Sequence, residues 1–365
     1  MTLFFFIVIL FILGENYYVF FRLWNILPVG KTLLVVVAVV LLLCFFVGMF
    51  GGSLLPKSIV SVVYHVGMAW FFIALYLMFI FLFLDILRLV LPMQRVMVDN
   101  WLTFGALTIV MTAVFVYGYF NYLNTRRVEI NIEIAKPVSP LKIVGLSDLH
   151  LGYGIGKTEL EKWITLINRE KPDIVLISGD IIDHFTKSLD GHNLSFEKIK
   201  SRDGVYACLG NHEYIGTPSK ISQSLDFLHA AKVTVLRDTA VLINNEFYLI
   251  GRDDRFNLKR KSIHELLQTI DATKPLILLD HQPFYLEETA KNGIDLQFSG
   301  HTHHGQILPV NWIAKRIYEV SHGYLKKNNS HIYVSSGIGI WGGKFRIGTQ
   351  SEYIVFNLKQ QKNNN

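Results

Sequence analysis

The chain has 365 residues, 51% hydrophobic, 18% charged and 13% aromatic, with a formal net charge of +6. So much apolar content excludes an intrinsically disordered chain, and Cys44 and Cys208, in an apolar run and in the polar part, offer no disulfide framework. The positive charge is spread along the sequence rather than gathered in a block; no nucleic-acid partner is expected, and an anionic membrane surface suits it equally. Those averages conceal two unlike parts. Residues 1–125 hold five basic residues (Arg22, Lys31, Lys57, Arg88, Arg95) and three acidic ones (Glu15, Asp85, Asp99), while every histidine except His65 lies beyond. Such a break reads as a membrane region over 1–125, a folded domain over 126–360 and a polar tail at 361–365.

An α-helix needs roughly 20 apolar residues to cross a hydrocarbon core of about 30 Å. Residues 32–50 carry no charge and meet that length, as do the uncharged stretches 58–84 and 102–125. The first segment, "LFFFIVILFILGENYYVFF", is interrupted by Glu15 and Asn16. It lacks a basic flank and a small-residue cleavage site, so it reads as a fourth span and not a signal peptide. Glu15 is expected near the end of that helix, at the interface or against a neighbour, without a functional role. Counted as loop charges, Arg22, Lys31, Arg88 and Arg95 fall on one side, and Lys57, Arg126 and Arg127 share the domain's side. That split is too even to orient a multi-pass protein in the cell membrane by positive charge.

From Arg126 the pattern changes. "RVEINIEI" alternates Val128, Ile130, Ile132 and Ile134 with polar residues, the signature of a half-buried strand. One device then recurs: an apolar run followed by residues that bind metals well. "KIVGL" leads into Asp148 and His150, "DIVLIS" into Asp180 and Asp183, and "GVYACLG" into Asn211, His212 and Glu213. "PLILL" leads into Asp280 and His281, and "IDLQFSG" into His301, Thr302, His303 and His304. Continuous apolar runs are buried strands, and open α/β sheets place their sites beyond the carboxyl ends of such strands. "ELEKWITLINREKP" predicts a crossover helix with Leu160, Ile164 and Ile167 on one face. The later runs "EFYLIG", "HIYVSSGI" and "EYIVFNL" predict a second, antiparallel sheet. The expected fold is a multi-pass helical membrane region followed by an α/β domain, a two-sheet β-sandwich flanked by helices.

The polar inventory at the five strand ends is carboxylate, amide and imidazole without thiolate. That mixture suits manganese first, with iron or zinc as alternatives, over an all-oxygen calcium site or a thiolate-rich zinc site. Its size exceeds what one catalytic ion takes from protein. Two ions sharing a carboxylate fit better, an arrangement that clamps a phosphoryl group for in-line attack.

The ordered series D-x-H, G-D-x-x-D, G-N-H-E, a lone His and G-H-x-H resembles the calcineurin-like metallophosphoesterase superfamily. "GNHEY", "GHTH-x-GQ" and "SSGIG…RIG" are similar to its bacterial, membrane-tethered branch. The resemblance covers roughly Ile143 to Leu358 and none of the spans. It implies that Asp148, His150 and His303 bind one ion and Asn211, His281 and His301 the other, with Asp180 bridging. It also implies His212 as proton donor to the leaving oxygen and Asp183 as the carboxylate that holds a histidine in place. The implied activity is hydrolysis of a phosphomonoester, phosphodiester or pyrophosphate bond by attack of a metal-bridging hydroxide.

Against these stand plainer readings. His184, His192, His229, His264, His322 and His331 are read as structural or solvated, as is His304, and Arg252, Asp254 and Arg346 as solvated surface. The alternative function is a catalytically weak membrane scaffold or phosphoryl-binding protein on the same fold. Tethering by several spans suggests a lipid-linked phosphoester delivered along the bilayer; oligomeric state leaves no mark on the sequence.

Overall fold

The computed structural model describes residues 2–53, 55–90, 100–183, 189, 192–216 and 219–361. Arg95, Asp99, His184 and the tail residues 362–365 lie outside them. The chain divides into two compact units, residues 1–117 with 342–344 and residues 118–341 with 345–365.

The first unit is helical: α1 (Thr2–Ile26), α2 (Lys31–Phe50), α3 (Lys57–Val90) and α4 (Trp101–Leu123), whose last turns from Gly118 belong to the second unit. All four are long and apolar enough to cross a membrane. α1 does not end near Glu15. It runs on to Ile26, so Glu15 lies mid-helix and is only 2% exposed. The polar break is absorbed by bundle contacts: the Asn16 amide donates to Ile12 O at 2.9 Å, and its Oδ1 accepts from Trp70 Nε1 of α3 at 2.7 Å. Arg22 is likewise not a loop charge. It lies in α1, buried, and pairs with Asp85 of α3, which also accepts the Tyr18 hydroxyl at 2.5 Å. α3 continues past Leu84 to Val90, so Arg88 is helical too. An ion pair between a buried Arg22 and a half-buried Asp85, bonded also by a third group, lets charge persist in an apolar bundle, which residue counting by segment cannot anticipate.

The second unit is built on two six-stranded sheets. Its elements in chain order are β1 (Arg126–Ile134), β2 (Leu141–Leu146), α5 (Lys157–Glu170), β3 (Ile174–Ser178), α6 (His192–Phe196), β4 (Val205–Cys208), α7 (Lys220–Ala230) and β5 (Thr234–Val235). There follow β6 (Thr239–Ile243), β7 (Phe247–Gly251), α8 (Ile263–Leu267), β8 (Leu276–Leu279), α9 (Leu286–Lys291), β9 (Leu296–Ser299), α10 (Val310–Ile317), β10 (Gly323–Lys327), β11 (Ser330–Val334) and β12 (Glu352–Gln360). The first sheet has the order β1-β12-β2-β3-β4-β5 and the second β10-β11-β9-β8-β7-β6.

Period-two alternation sorts the apolar runs into layers. Ile143, Leu176, Leu249, Ile277 and Phe298 pack together between the sheets. Their neighbours Val144, Val175 and Ile177 turn outward onto Leu160, Trp163, Ile164 and Ile167 of α5. On the far side Ile250, Leu276 and Leu278 meet Ile263 and Leu266 of α8. The result is the expected sandwich with helices on both faces. The second sheet differs from expectation: β7, β8, β9 and β11 pair parallel, and only the edges β6 and β10 are antiparallel. "EYIVFNL" is not part of it. As β12 it enters the first sheet, antiparallel to β2 and parallel to β1. Its apolar stretch, residues 353–356, can be buried on both faces in either sheet, so periodicity does not choose.

Candidate metal centre

β2, β3 and β4 run parallel, as do β7, β8 and β9, so the loops following them emerge at their carboxyl edges. These are the loops that carry the polar series. Backbone bonds lock them to one another: Asp148 N donates to Gly179 O at 3.1 Å, His150 N to Asp180 O at 3.0 Å, and Gly300 N to His281 O at 3.0 Å. Asp148, His150, Asp180, His301 and His303 all adopt left-handed backbone, with φ between 46° and 72°. Non-glycine residues rarely do so, and clustering of that strain is characteristic of functional sites. Gly210 and Gly300 make room, since a Cβ there would collide with Asp180 Oδ1 and Asp148 Oδ2 respectively.

Two groups of ligand-type atoms result. Asp148, His150 and His303 bring one atom each within 4.8 Å of one another, and so do Asp180, His281 and His301. Asn211 Oδ1 lies 3.3 Å from His281 Nε2, joining the second group. Asp180 Oδ2 is 3.2 Å from His281 Nε2 and 3.9 Å from His150 Nε2, within reach of both. His281 Nδ1–H donates to Ser178 O at 2.7 Å, which leaves Nε2 as the lone-pair atom facing the centre. His150 Nε2 and His303 Nε2 are 3.0 Å apart, and the Nδ1 atoms of both are buried without a hydrogen-bond partner among the described residues.

The electrostatics follow from burial. Asp148 is pushed up to about 6 by desolvation and by the charge of Asp180. Desolvation drives His150 and His301 down to about 3, and His303 well below its ordinary value. Burial would raise Asp180, but His281 and His212 outweigh it and hold the carboxylate well below the usual range. Reciprocally, burial would lower His281, and Asp180 holds it well above. The centre therefore combines neutral imidazoles at His150, His301 and His303 with carboxylates, and the proton that Asp180 holds on His281 marks a demand for positive charge that a divalent cation satisfies. These residues fit such ions.

His212 follows Asn211 on the same 3-10 turn. Its Nδ1 is 3.2 Å from Asp183 Oδ1 and its Nε2 is 3.9 Å from Asp180 Oδ2. Burial would strip its proton, but Asp180 and Asp183 prevail and raise its pKa. Sequence reading gives no role to Glu213, which is fully buried beneath the centre. Its Oε1 accepts from Ile181 N (2.8 Å) and Ile182 N (2.9 Å), and its Oε2 from Asp180 N (3.2 Å) and Gly210 N (2.7 Å). The available sign was its place in "GNHE", beside two proposed site residues.

Three expectations of solvated surface are overturned, because Arg252, Asp254 and Arg346 are all buried. Arg252 and Arg260 pair with Asp280 at 3.3 and 3.2 Å. Asp254 accepts from Gln282 Nε2 at 2.9 Å. Arg346, completely buried, donates to the carbonyls of His303, Gly337 and Gly339 and so braces the His303 loop. Buried Arg on backbone carbonyls leaves no local sequence pattern. His304 is half-buried, with Nδ1 3.1 Å from Ser321 Oγ and its ring 5.0 Å from that of His322.

Comparison with known proteins agrees with this geometry. A family model for the calcineurin-like phosphoesterase domain matches residues 141–305. An uncharacterised metallophosphoesterase of Campylobacter jejuni is 34% identical over 273 residues, covering 72% of this chain and 71% of that one. One from Aquifex aeolicus is 34% identical over 251 residues, covering 66% of this chain and 94% of its own. A Danio rerio "transmembrane protein with metallophosphoesterase domain" is 29% identical over 274 residues, covering 70% of this chain and 62% of the relative.

Proposed function

From the premise that this chain belongs to the calcineurin-like metallophosphoesterase family and is a metal-dependent phosphoester hydrolase, we propose a membrane-anchored enzyme with a two-ion centre, loaded with manganese, that acts on a lipid-linked phosphoester. Asp148, His150 and His303 would hold one ion and Asn211, His281 and His301 the other, with Asp180 placed to serve both groups. The observation that carries the two-ion reading is that Asp180 Oδ2 lies 3.2 Å from His281 Nε2 and 3.9 Å from His150 Nε2, within reach of both ligand groups. Bound ions would supply Lewis-acid charge to the phosphoryl oxygens and acidify the attacking water.

The chain's own residues do the rest. His212 donates a proton from Nε2 to the leaving oxygen, while Asp183 fixes its ring through Nδ1. Asp183 acts through His212 and is a positioning residue. An imidazolium acid is active below its pKa and lost as pH rises through it. Asp183→Asn removes a contributor that raises that pKa, so the alkaline limb of kcat/KM should move down by about one pH unit. A lowered rate with an unmoved limb would show that Asp183 serves only folding.

Metal content and hydrolysis by the detergent-purified full chain test the whole reading. Two ions per chain, with manganese-dependent cleavage of a chromogenic phosphodiester or monoester, are expected; a chain that binds one ion or none contradicts the two-ion centre. Reconstituted in vesicles, the enzyme should prefer a lipid-anchored ester to its soluble analogue. Equal rates would remove the lipid-linked substrate.

A further inference from the structure

α10 begins at Val310, shortly after the ligand turn His303–Gly305. A Cβ on Gly305 would come within 2.5 Å of Asn311 Cα, so the helix is wedged against that loop. Its inner face buries Asn311 and Ala314. The outer face presents Trp312, Ile313 and Ile317 to solvent at 64%, 57% and 58% exposure, with Lys315 and Arg316 exposed beside them. Among the described residues Lys315 and Arg316 make no ion pair. The acidic groups of this neighbourhood, Glu319 and Glu287, are instead taken up by Lys327 at 2.7 and 3.1 Å.

The residue that follows α10, Tyr318, packs at a tilt against Phe284 with ring centroids 4.8 Å apart and lies 6.1 Å from the ring of His301. Arg255 covers Phe284 from 4.2 Å and the exposed Tyr285 from 5.1 Å. Exposed apolar side chains and cations thus continue along one rim of the metal centre, tied to His301 by direct contact. Scattered exposed leucines need no explanation, but a Trp–Ile–Ile face flanked by uncompensated cations beside a site does.

We propose that α10, with the Arg255–Phe284–Tyr318 cluster behind it, is an interfacial surface that seats the catalytic rim on anionic lipid. A tryptophan with aliphatic neighbours and flanking Lys/Arg is the composition of helices that lie in the headgroup layer. Three apolar side chains on two helical turns are far short of the 1,200 Å² or so that a specific protein interface buries. They suffice for lipid when a tether already supplies proximity, and only two residues separate α4 from β1. The seat depends on the membrane reading of α1–α4 but not on the two-ion assignment.

Full-length protein on a Cys44→Ser background, in vesicles of phosphatidylcholine with roughly a third phosphatidylglycerol, carries an environment-sensitive fluorophore at one of three positions. Cys208 is buried and stays unlabelled. Val36→Cys, exposed on α2, reports the span; Ile313→Cys reports the seat; Ala272→Cys, ahead of β8 at the opposite edge of its sheet, reports bulk solvent. Brominated acyl chains should quench positions 36 and 313 by about half or more, and leave 272 unchanged. Quenching at 36 with none at 313 overturns the seat while sparing the membrane reading. No quenching at 36 overturns both. A label at 313 that escapes bromolipid yet is shielded from aqueous iodide means a protein covers α10, and also overturns it.

Discussion

Replacing Asp180 with asparagine should lower metal-dependent phosphoester hydrolysis by the full chain at least about a thousandfold, roughly 4 kcal/mol of transition-state stabilisation. The magnitude follows from position. Asp180 Oδ2 is 3.2 Å from His281 Nε2 and 3.9 Å from both His150 Nε2 and His212 Nε2, while Oδ1 accepts the backbone N–H of His212 at 2.8 Å. One carboxylate therefore serves both proposed ligand groups, the proposed acid His212, and the loop that carries it. Asparagine keeps the volume but removes the charge, and an amide nitrogen placed on the Oδ2 side offers no lone pair to a metal ion. Bound metal should fall below two ions per chain in the same preparation. Full metal occupancy with undiminished turnover would exclude Asp180 as the shared ligand.

Much of this centre is legible in the sequence because each proposed ligand sits one to five residues beyond an apolar run. Burial of a strand and exposure of its carboxyl end are both consequences of local pattern, so pattern alone places Asp148, Asp180, Asn211, His281 and His301 on one edge. The order of strands is less accessible. β12 is apolar on both faces over residues 353–356, and nothing in "EYIVFNL" distinguishes a place beside β2 from a place in the other sheet. Residues that act through backbone contacts are invisible for a different reason. Arg346 is recognisable as structural only once the carbonyls of His303, Gly337 and Gly339 are known to converge on it. The left-handed backbone of five of the site residues is similarly imposed by tertiary context, against their own preference. In the helical unit, Arg22 and Asp85 resemble boundary charges because a sequence shows the cost of burying each charge but not the partner that offsets it.

Glu213 combines these themes, and Glu213→Gln is expected to be the most damaging substitution among residues that touch no ion in the proposed centre. Its two oxygens accept four backbone N–H groups: those of Ile181 and Ile182 on one, those of Asp180 and Gly210 on the other. The carboxylate thereby stitches the loop after β3, which carries Asp180, to the loop after β4, which carries Asn211 and His212. Glutamine offers one oxygen. Whichever way its amide is turned, two buried N–H donors meet an NH2 group, at about 1–3 kcal/mol each. Thermal unfolding of the full chain in detergent should shift downward accordingly. Manganese affinity should drop by about 10–100-fold, the usual consequence of disturbing groups that orient ligands from behind. Glu213→Asp tests the alternative that charge alone matters. It keeps the charge but shortens the reach by one methylene, so both oxygens cannot hold all four donors, and metal affinity should fall with it. Wild-type affinity in Glu213→Asp, with loss only in Glu213→Gln, would mean that the carboxylate acts on the centre through its field and not through the backbone it binds.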